Sequence, residues 1–187
     1  MINYLLLLTN NPYWGFTRGV FTKWKTLPRP YSHVFIGNPP IPIELSETEL
    51  INLDAWVYSI KIKIEIEIVL GKKGKKDYPA CAAACFQKRE INLIALNHSH
   101  QKEDDLVPFN ATLQNAFQQS LGNTVGKMST ITPCRFPIGN CAEQRVANDI
   151  ISYCGCPISD LCISAAFRPR TMTIIPPCEN CKILFHI

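Results

Sequence analysis

Apolar residues first recur at a helical interval in the stretch that begins at Ser46. They stand three or four positions apart, at Leu50, Leu53, Val57 and Ile60. This spacing places apolar side chains on one face of a helix. Ser46 and Glu49 also have the spacing of a capping box, in which each side chain bonds the other residue's backbone N–H. The pattern therefore predicts a helix that starts at Ser46.

The continuation of this stretch, residues 60–70, carries two conflicting signals. Isoleucine alternates with charged residues, which is the period of a strand, and β-branched residues favour sheets. Lys61 with Glu65 and Lys63 with Glu67 have instead the four-residue spacing of ion pairs along a helix. The pattern alone leaves helix and strand open here.

Short apolar runs predict strands further along the chain. Residues 80–86 and 91–96 are two such runs with a polar joint between them, which is typical of a β-hairpin. A third run, residues 161–167, predicts another strand. Alternate residues of this third strand are expected on one face: Ile163, Ala165 and Phe167.

Three helices are predicted beyond the hairpin. Apolar residues have helical spacing in residues 110–121 and 141–153, and a glycine ends each pattern. Pro177 opens a third helix, because proline is favoured in the first turn. Residues 46–187, which contain these helices and strands, are expected to form one domain.

Composition fits one globular domain of mild charge. Of the 187 residues, 47% are hydrophobic and 18% are charged, which suffices for one ordinary core. The formal net charge is +4, and residues 81–187 contribute only +1 of it. That part is not a strongly basic nucleic-acid binder, although a polynucleotide substrate is not excluded.

The first 45 residues differ from the rest. They hold six of the fourteen prolines, which break long helices, so an irregular Pro-rich segment is predicted over residues 1–45. No apolar run is long enough to cross a bilayer, and residues 1–8 lack the basic and small-residue parts of a signal peptide. The expected location is inside the cell, or outside it if the true start lies upstream.

Three cysteines have the spacing of metal ligands. Cys178 and Cys181 stand three residues apart at a helix start, so their sulfurs share one face, and Cys141 begins another helix. Three protein ligands leave the fourth position of a tetrahedral zinc open to water, as in catalytic sites. Glu143 does not share the helix face of Cys141. It is therefore a candidate to move protons beside the metal.

Two non-catalytic interpretations of these cysteines stay open. A fourth cysteine, from Cys134, Cys154 or Cys156, would complete a structural zinc site. The second non-catalytic interpretation is that these cysteines form disulfide bonds in an oxidising compartment. Neither explains why Glu143 and Pro177 stand where they do. Six cysteines remain outside the trio, as buried thiols or as disulfides: Cys81, Cys85, Cys134, Cys154, Cys156 and Cys162.

The two cysteine segments carry a resemblance to a known family. Cys141-Ala142-Glu143, followed by Pro177-Cys178-Glu179-Asn180-Cys181, resembles the zinc signature of the cytidine deaminase superfamily, with cysteine in place of the first histidine. The likeness covers roughly residues 80–187. It is closest to the AID/APOBEC-like and bacterial-toxin-like branches, in particular the secreted novel AID/APOBEC-like deaminases of animals. Relatives often continue with one or two further strands beyond the segment that matches Pro177–Cys181, so the chain is expected to be a compact member or to be truncated at its C terminus.

The resemblance implies a fold and a metal centre. The fold is the three-layer α/β/α deaminase fold, with helices on both sides of a small mixed sheet. A long helix precedes its first core strand, which favours helix up to about Leu70. Zn²⁺ would be held by Cys141, Cys178 and Cys181, with Glu143 as the proton-transfer residue.

The resemblance also implies a reaction and its substrates. The reaction is hydrolytic deamination of cytosine, with adenine as the alternative base. A cytosine in single-stranded DNA or RNA is expected more than free cytidine or deoxycytidine. Asn97 resembles the asparagine that contacts the sugar in nucleoside deaminases, and Arg168 and Arg170 are expected beside substrate phosphates. A zinc-stabilised binding module and an inactive relative are the alternatives without catalysis.

Overall fold

The computed structural model describes residues 46–101 and 108–187. It also describes three two-residue strands nearer the N terminus: β1 (Thr22–Lys23), β2 (His33–Val34) and β3 (Ile41–Pro42). β2 and β3 pair with each other, whereas β1 joins the main sheet. The irregular segment predicted for residues 1–45 otherwise lies outside the described residues.

The first long helix, α1, runs from Glu47 to Ile64 and continues as a π-helical turn, Glu65–Val69. The predicted capping box is present, since the backbone N–H of Ser46 donates to Glu49 Oε2 at 2.8 Å and Ser46 Oγ accepts from the Glu49 N–H. The helical alternative for residues 60–70 is therefore confirmed.

The main sheet is built on the predicted hairpin. β4 (Ala82–Gln87) pairs with β5 (Glu90–His98), and the strand order is β1-β5-β4-β7-β8, with β6 also paired to β4. The remaining strands are β6 (Leu161–Ile163), β7 (Ala166–Arg168) and β8 (Thr173–Ile175).

Every strand pair in the described part of the sheet is antiparallel, so the expectation of a mixed sheet is wrong. The reason lies in the connection between β7 and β8. It is a tight turn in which the Thr171 and Met172 N–H groups donate to the Arg168 carbonyl. Such a turn makes a hairpin, whereas a parallel pair needs a long crossover.

The third predicted strand is broken, and the single run over residues 161–167 is a wrong prediction. The Ser164 hydroxyl accepts the Ala84 N–H at 2.9 Å, while the Ala165 N–H donates to Asn52 Oδ1 at 2.7 Å. In the segment that separates β6 from β7, these side chains take the place of backbone partners in the sheet. The shared face is lost as a result, because Ile163 packs in a different apolar cluster from Ala165 and Phe167.

Helices cover both faces of the sheet. The predicted helices are α2 (Ala111–Leu121), α3 (Ala142–Cys154) and α4 (Glu179–Phe185). α3 packs on one face of β4, where Ala83 and Cys85 point, and α1 packs on the other, where Ala84 and Phe86 point. In the described part of the chain, no helix is both long and apolar enough to cross a membrane.

Candidate metal centre

Three cysteine sulfurs meet where two helices begin. Cys141 is the N-cap of α3, Cys178 is the N-cap of α4, and Cys181 lies in the first turn of α4. The Sγ atoms of Cys141 and Cys178 are 3.3 Å apart, those of Cys178 and Cys181 are 3.6 Å apart, and all three lie within 4.8 Å of one another. The structure thus brings the three predicted ligands together.

The spacing of these sulfurs suits a zinc ion. Zinc–sulfur bonds of about 2.3 Å in a tetrahedron place neighbouring sulfurs about 3.8 Å apart. The separations of 3.3 and 3.6 Å lie slightly below that value, and all three separations are within 4.8 Å. They are also too long for a disulfide bond, and all nine cysteines are free thiols. The donor set therefore fits zinc without a large rearrangement.

A turn at Gly139 positions Cys141 at the sulfur cluster. Gly139 has φ +91, a conformation that favours glycine, and a Cβ there would come within 2.7 Å of Val125 Cγ1. Its N–H donates to Gln144 Oε1 at 2.6 Å, which fastens the turn to α3. The His100 N–H donates to the Asn140 carbonyl and joins the same turn to the end of β5.

Hydrogen bonds within the cluster shift the pKa values of its sulfurs in opposite directions. Hydrogen bonds with Cys141 and Cys181 lower the pKa of Cys178 to about 2. Hydrogen bonding with Cys178 raises the pKa of Cys141, and hydrogen bonding with Cys141 raises the pKa of Cys181, both far above the ordinary thiol value. Metals bind thiolates and release their protons. A divalent cation is the natural replacement for the protons that these sulfurs share.

Glu143 stands beside the sulfurs and is buried, with 4% of its surface exposed. Burial raises the pKa of its carboxyl, and the charge of Cys178 adds to the rise. Among the described residues, the carboxylate is not part of the mutually close ligand set. Its position is therefore that of a neighbour of the metal site rather than of a ligand.

The loop over residues 132–136 is tied to α4 by Asn180. Asn180 accepts a hydrogen bond from the Thr132 hydroxyl and donates to the Phe136 carbonyl at 3.3 Å. The loop brings the Cys134 sulfur into hydrogen-bond contact with Cys178, while burial raises the pKa of Cys134. Cys134 nevertheless lies outside the set of sulfurs that are all close to one another.

The other two candidates for a fourth ligand are far from the site. Cys154 is the last residue of α3, whose first turn carries the metal site, and Cys156 follows it. A helix of 13 residues is about 20 Å long. Cys134 is therefore the nearest of the three to the cluster, through its contact with Cys178.

Cys81 belongs to the surroundings of the site, although the sequence marked it only as a spare cysteine. It precedes β4, and its sulfur bonds the backbone N–H of Ala142, the first residue of α3. Burial raises the pKa of Cys81 to about 11, and the charge of Glu143 adds to the rise. No motif signals this role, because only the packing of β4 under α3 creates the contact.

Arg168 and Arg170 occupy opposite sides of the sheet. Phe167 pairs with Ala82 and packs against α1, so the next residue, Arg168, points to the face of α3 and the metal site. The Arg170 carbonyl instead accepts a hydrogen bond from Lys63 Nζ of α1 at 3.2 Å. Strand alternation thus places Arg168 on the α3 face of the sheet, whereas the Arg170 carbonyl lies next to α1.

Asn97 directs its amide to the middle of α3. Its Nδ2 donates to Asp149 Oδ2 at 2.8 Å, and its Oδ1 accepts the His98 N–H. Asp149 lies six residues beyond Glu143, or about 9 Å along the helix. A sugar contact by Asn97 stays a prediction, and the visible role of this side chain is to hold Asp149.

The Asn97–Asp149 pair predicts a pH dependence of stability. Burial raises the pKa of Asp149 to about 6, although Asn97 and Arg145 oppose the rise. The folded state then binds a proton more tightly than the unfolded state, so this contribution is full below about pH 4 and disappears as the pH rises through about 6. At pH 7, Asp149→Asn is expected to raise the free energy of unfolding by up to about 3 kcal/mol.

Urea denaturation at pH 4 and at pH 7 checks this expectation. Asparagine keeps the oxygen that accepts from Asn97, so the variant changes the charge and preserves the contact. The difference in stability between variant and wild type should grow with pH. An equal difference at both values would contradict the assignment.

Comparisons with known proteins return no match to this geometry. No protein-family model matches the chain, and neither a curated protein nor a solved structure matches it. The chemistry of the site therefore rests on its own residues. These are three clustered sulfurs, a buried carboxyl beside them, and the start of a 13-residue helix.

Proposed function

We propose that the protein is a zinc-dependent hydrolytic deaminase of cytosine with the three-layer α/β/α deaminase fold. One observation carries the proposal: the Glu143 carboxyl is buried beside the three-cysteine cluster and is not one of its ligands. Burial of a carboxyl costs free energy. A purely structural zinc site gains nothing from this cost, whereas a hydrolytic site needs such a group to move protons.

Each residue of the centre then has a role. Cys141, Cys178 and Cys181 would hold the zinc, which would supply a water with a pKa of about 7. A carboxylate oxygen of Glu143 accepts a proton from the attacking water and delivers protons to N3 and to the amino group of cytosine. The oxygen of the water bonds C4, the C4–N bond breaks, and uracil and ammonia form. The same transfers at C6 of adenine make adenine the alternative base.

The surroundings support this chemistry. The first N–H groups of α3 give the site a positive potential, which favours thiolates and a developing negative charge. Ala142, Val146 and Ala83 are fully buried around the start of α3. They exclude water from the side of the site that faces the sheet and thereby strengthen its electrostatic interactions.

The position of Arg168 suggests that the cytosine belongs to a nucleic-acid strand. Arg168 is exposed on the sheet face that carries the metal site, where it can contact a phosphate next to the reacting base. We expect Arg168→Ala to weaken binding of a single-stranded oligonucleotide about tenfold, as for one charged contact, and to reduce its salt dependence. Arg170→Ala is the matched control, because Arg170 lies on the α1 side. Fluorescence anisotropy at two salt concentrations measures both variants. Equal losses in the two variants, or none, would contradict this assignment.

An activity assay tests the function itself. The zinc-loaded protein is offered single-stranded DNA, RNA, free cytidine and free deoxycytidine in parallel, with adenosine-containing versions as a second set. We expect ammonia release from cytosine within an oligonucleotide. Activity on free cytidine alone would support the deamination reaction but refute a nucleic-acid strand as its substrate. No activity on any substrate would refute the proposed function.

A four-cysteine structural zinc module is the second candidate, and one observation favours it. Cys134 is buried, and its sulfur contacts Cys178. A modest shift of the loop over residues 132–136 would add a fourth sulfur to the cluster. The two candidates differ in the coordination of the metal, which is a measurable property.

A further inference from the structure

The end of α1 and the loop after it form an exposed tip on the described part of the protein. Nine consecutive residues, 68–76, are exposed. The first three are large and apolar, with 70% of Ile68, 72% of Val69 and 52% of Leu70 exposed. Side chains of this size are rarely left open in a continuous run on a soluble surface.

The geometry of α1 explains why the tip is bare. Ile62 and Ile66 are the last residues of the helix that pack inward, against Tyr78 and Ala82. Ile66 already lies in the π-helical turn, Glu65–Val69, in which the Leu70 N–H donates to the Glu65 carbonyl. Short π-helical turns occur often at functional sites. The last three apolar residues, Ile68, Val69 and Leu70, belong to none of the apolar clusters formed by the described residues.

The charge of the tip is positive. Four exposed lysines follow the apolar residues within five positions: Lys72, Lys73, Lys75 and Lys76. None of them makes an ion pair with a described residue. The nearby acids are engaged elsewhere, since Asp77 Oδ2 accepts the Gly74 N–H at 2.6 Å and Glu67 Oε1 accepts the Tyr78 hydroxyl at 2.6 Å. The tip thus joins three apolar side chains to an excess of positive charge.

We propose that residues 68–76 dock the protein on an anionic lipid surface. Ile68, Val69 and Leu70 insert at the boundary between headgroups and acyl chains, while the lysines contact anionic headgroups. Interfacial segments combine apolar and basic residues in this way and insert only about 5–10 Å. The proposal is independent of the deaminase function and involves no membrane-spanning segment.

Other occupants fit the tip less well. A nucleic-acid strand would use the lysines but not the three aliphatic side chains, because bases stack on aromatic rings and on arginine. An anionic lipid surface uses both halves of the tip.

Vesicle flotation with the full-length protein tests this proposal. The vesicles are phosphatidylcholine alone, or phosphatidylcholine with about one third phosphatidylserine. Wild-type protein is expected to float with the anionic vesicles and not with the neutral ones. Replacement of the four lysines by alanine should lower binding at least tenfold, since each lysine near an anionic surface contributes about fivefold. Replacement of Ile68, Val69 and Leu70 by serine should lower it by a similar factor.

Two control variants change the same chemistry elsewhere on the surface. Ile174→Ser removes an exposed isoleucine on β8, and Lys127→Ala removes an exposed lysine. Both should bind anionic vesicles like the wild type. All variants are first checked for an unchanged thermal unfolding midpoint, which is expected because every altered side chain is exposed. Equal binding to neutral vesicles, no binding, or unchanged binding by either tip variant would overturn the proposal, as would tip-dependent binding of single-stranded DNA with none to vesicles.

Discussion

Glu143→Gln is expected to abolish deamination and to leave the zinc content unchanged. Glutamine has the shape of glutamate, but its amide cannot accept and return a proton. General acid–base catalysis by one positioned side chain is worth about 10²–10⁴ in rate, so turnover should fall by at least a hundredfold. Because the carboxylate is outside the ligand set, metal analysis should still find about one zinc per chain.

Glu179 supplies a matched control for this variant. It stands directly after Cys178 in the first turn of α4, whereas Glu143 stands two residues after Cys141 on α3. Glu179 is exposed, and its Oε1 lies 2.8 Å from Lys182 Nζ. Glu179→Gln should keep both zinc and turnover. Full turnover in Glu143→Gln would refute the assigned role, and loss of zinc from that variant would show that the carboxylate is a ligand.

Single serine variants of Cys141, Cys178 and Cys181 are expected to lose zinc. A hydroxyl is a far weaker zinc ligand than a thiolate, so the affinity should fall at least a hundredfold. The metal also joins the starts of α3 and α4, and its loss should lower the thermal unfolding midpoint by about 5–10 °C. Metal analysis after dialysis and thermal melting measure the two effects.

Serine variants of two further cysteines serve as controls for this prediction. Cys134→Ser should keep its zinc, because Cys134 contacts Cys178 without joining the close set. Cys154→Ser, at the opposite end of α3, controls for the loss of any thiol. Zinc loss in Cys134→Ser equal to that in Cys178→Ser would favour the structural module.

The site could be anticipated from the sequence because its ligands lie at helix starts. Cys141 and Cys178 each stand beside a helix whose apolar spacing fixes its beginning, and Cys181 is one turn away. The contact between the two segments was an inference from chemistry that the fold confirms. Spacing could not show that Cys134 and Cys81 border the cluster, since loop packing and sheet packing place them there.

Other features of the fold depend on tertiary contacts that the hydrophobic pattern of the sequence does not show. Alternating isoleucines in residues 60–70 suit a strand, but Ile62 and Ile66 are also one helical turn apart, and their burial against Tyr78 decides for helix. The break between β6 and β7 follows from hydrogen bonds of Ser164 and Asn52. Arg168 and Arg170 differ because Arg170 lies in the turn beyond β7, where the strand alternation no longer applies and its carbonyl bonds Lys63 of α1.

The coordination shell of the bound metal tests the central claim most directly. X-ray absorption at the zinc edge of the zinc-loaded protein counts the sulfur ligands and measures their distances. An open catalytic site predicts three sulfurs at about 2.3 Å and one oxygen at about 2.0 Å. Four sulfurs at about 2.3 Å would contradict it and identify a closed structural site that includes Cys134.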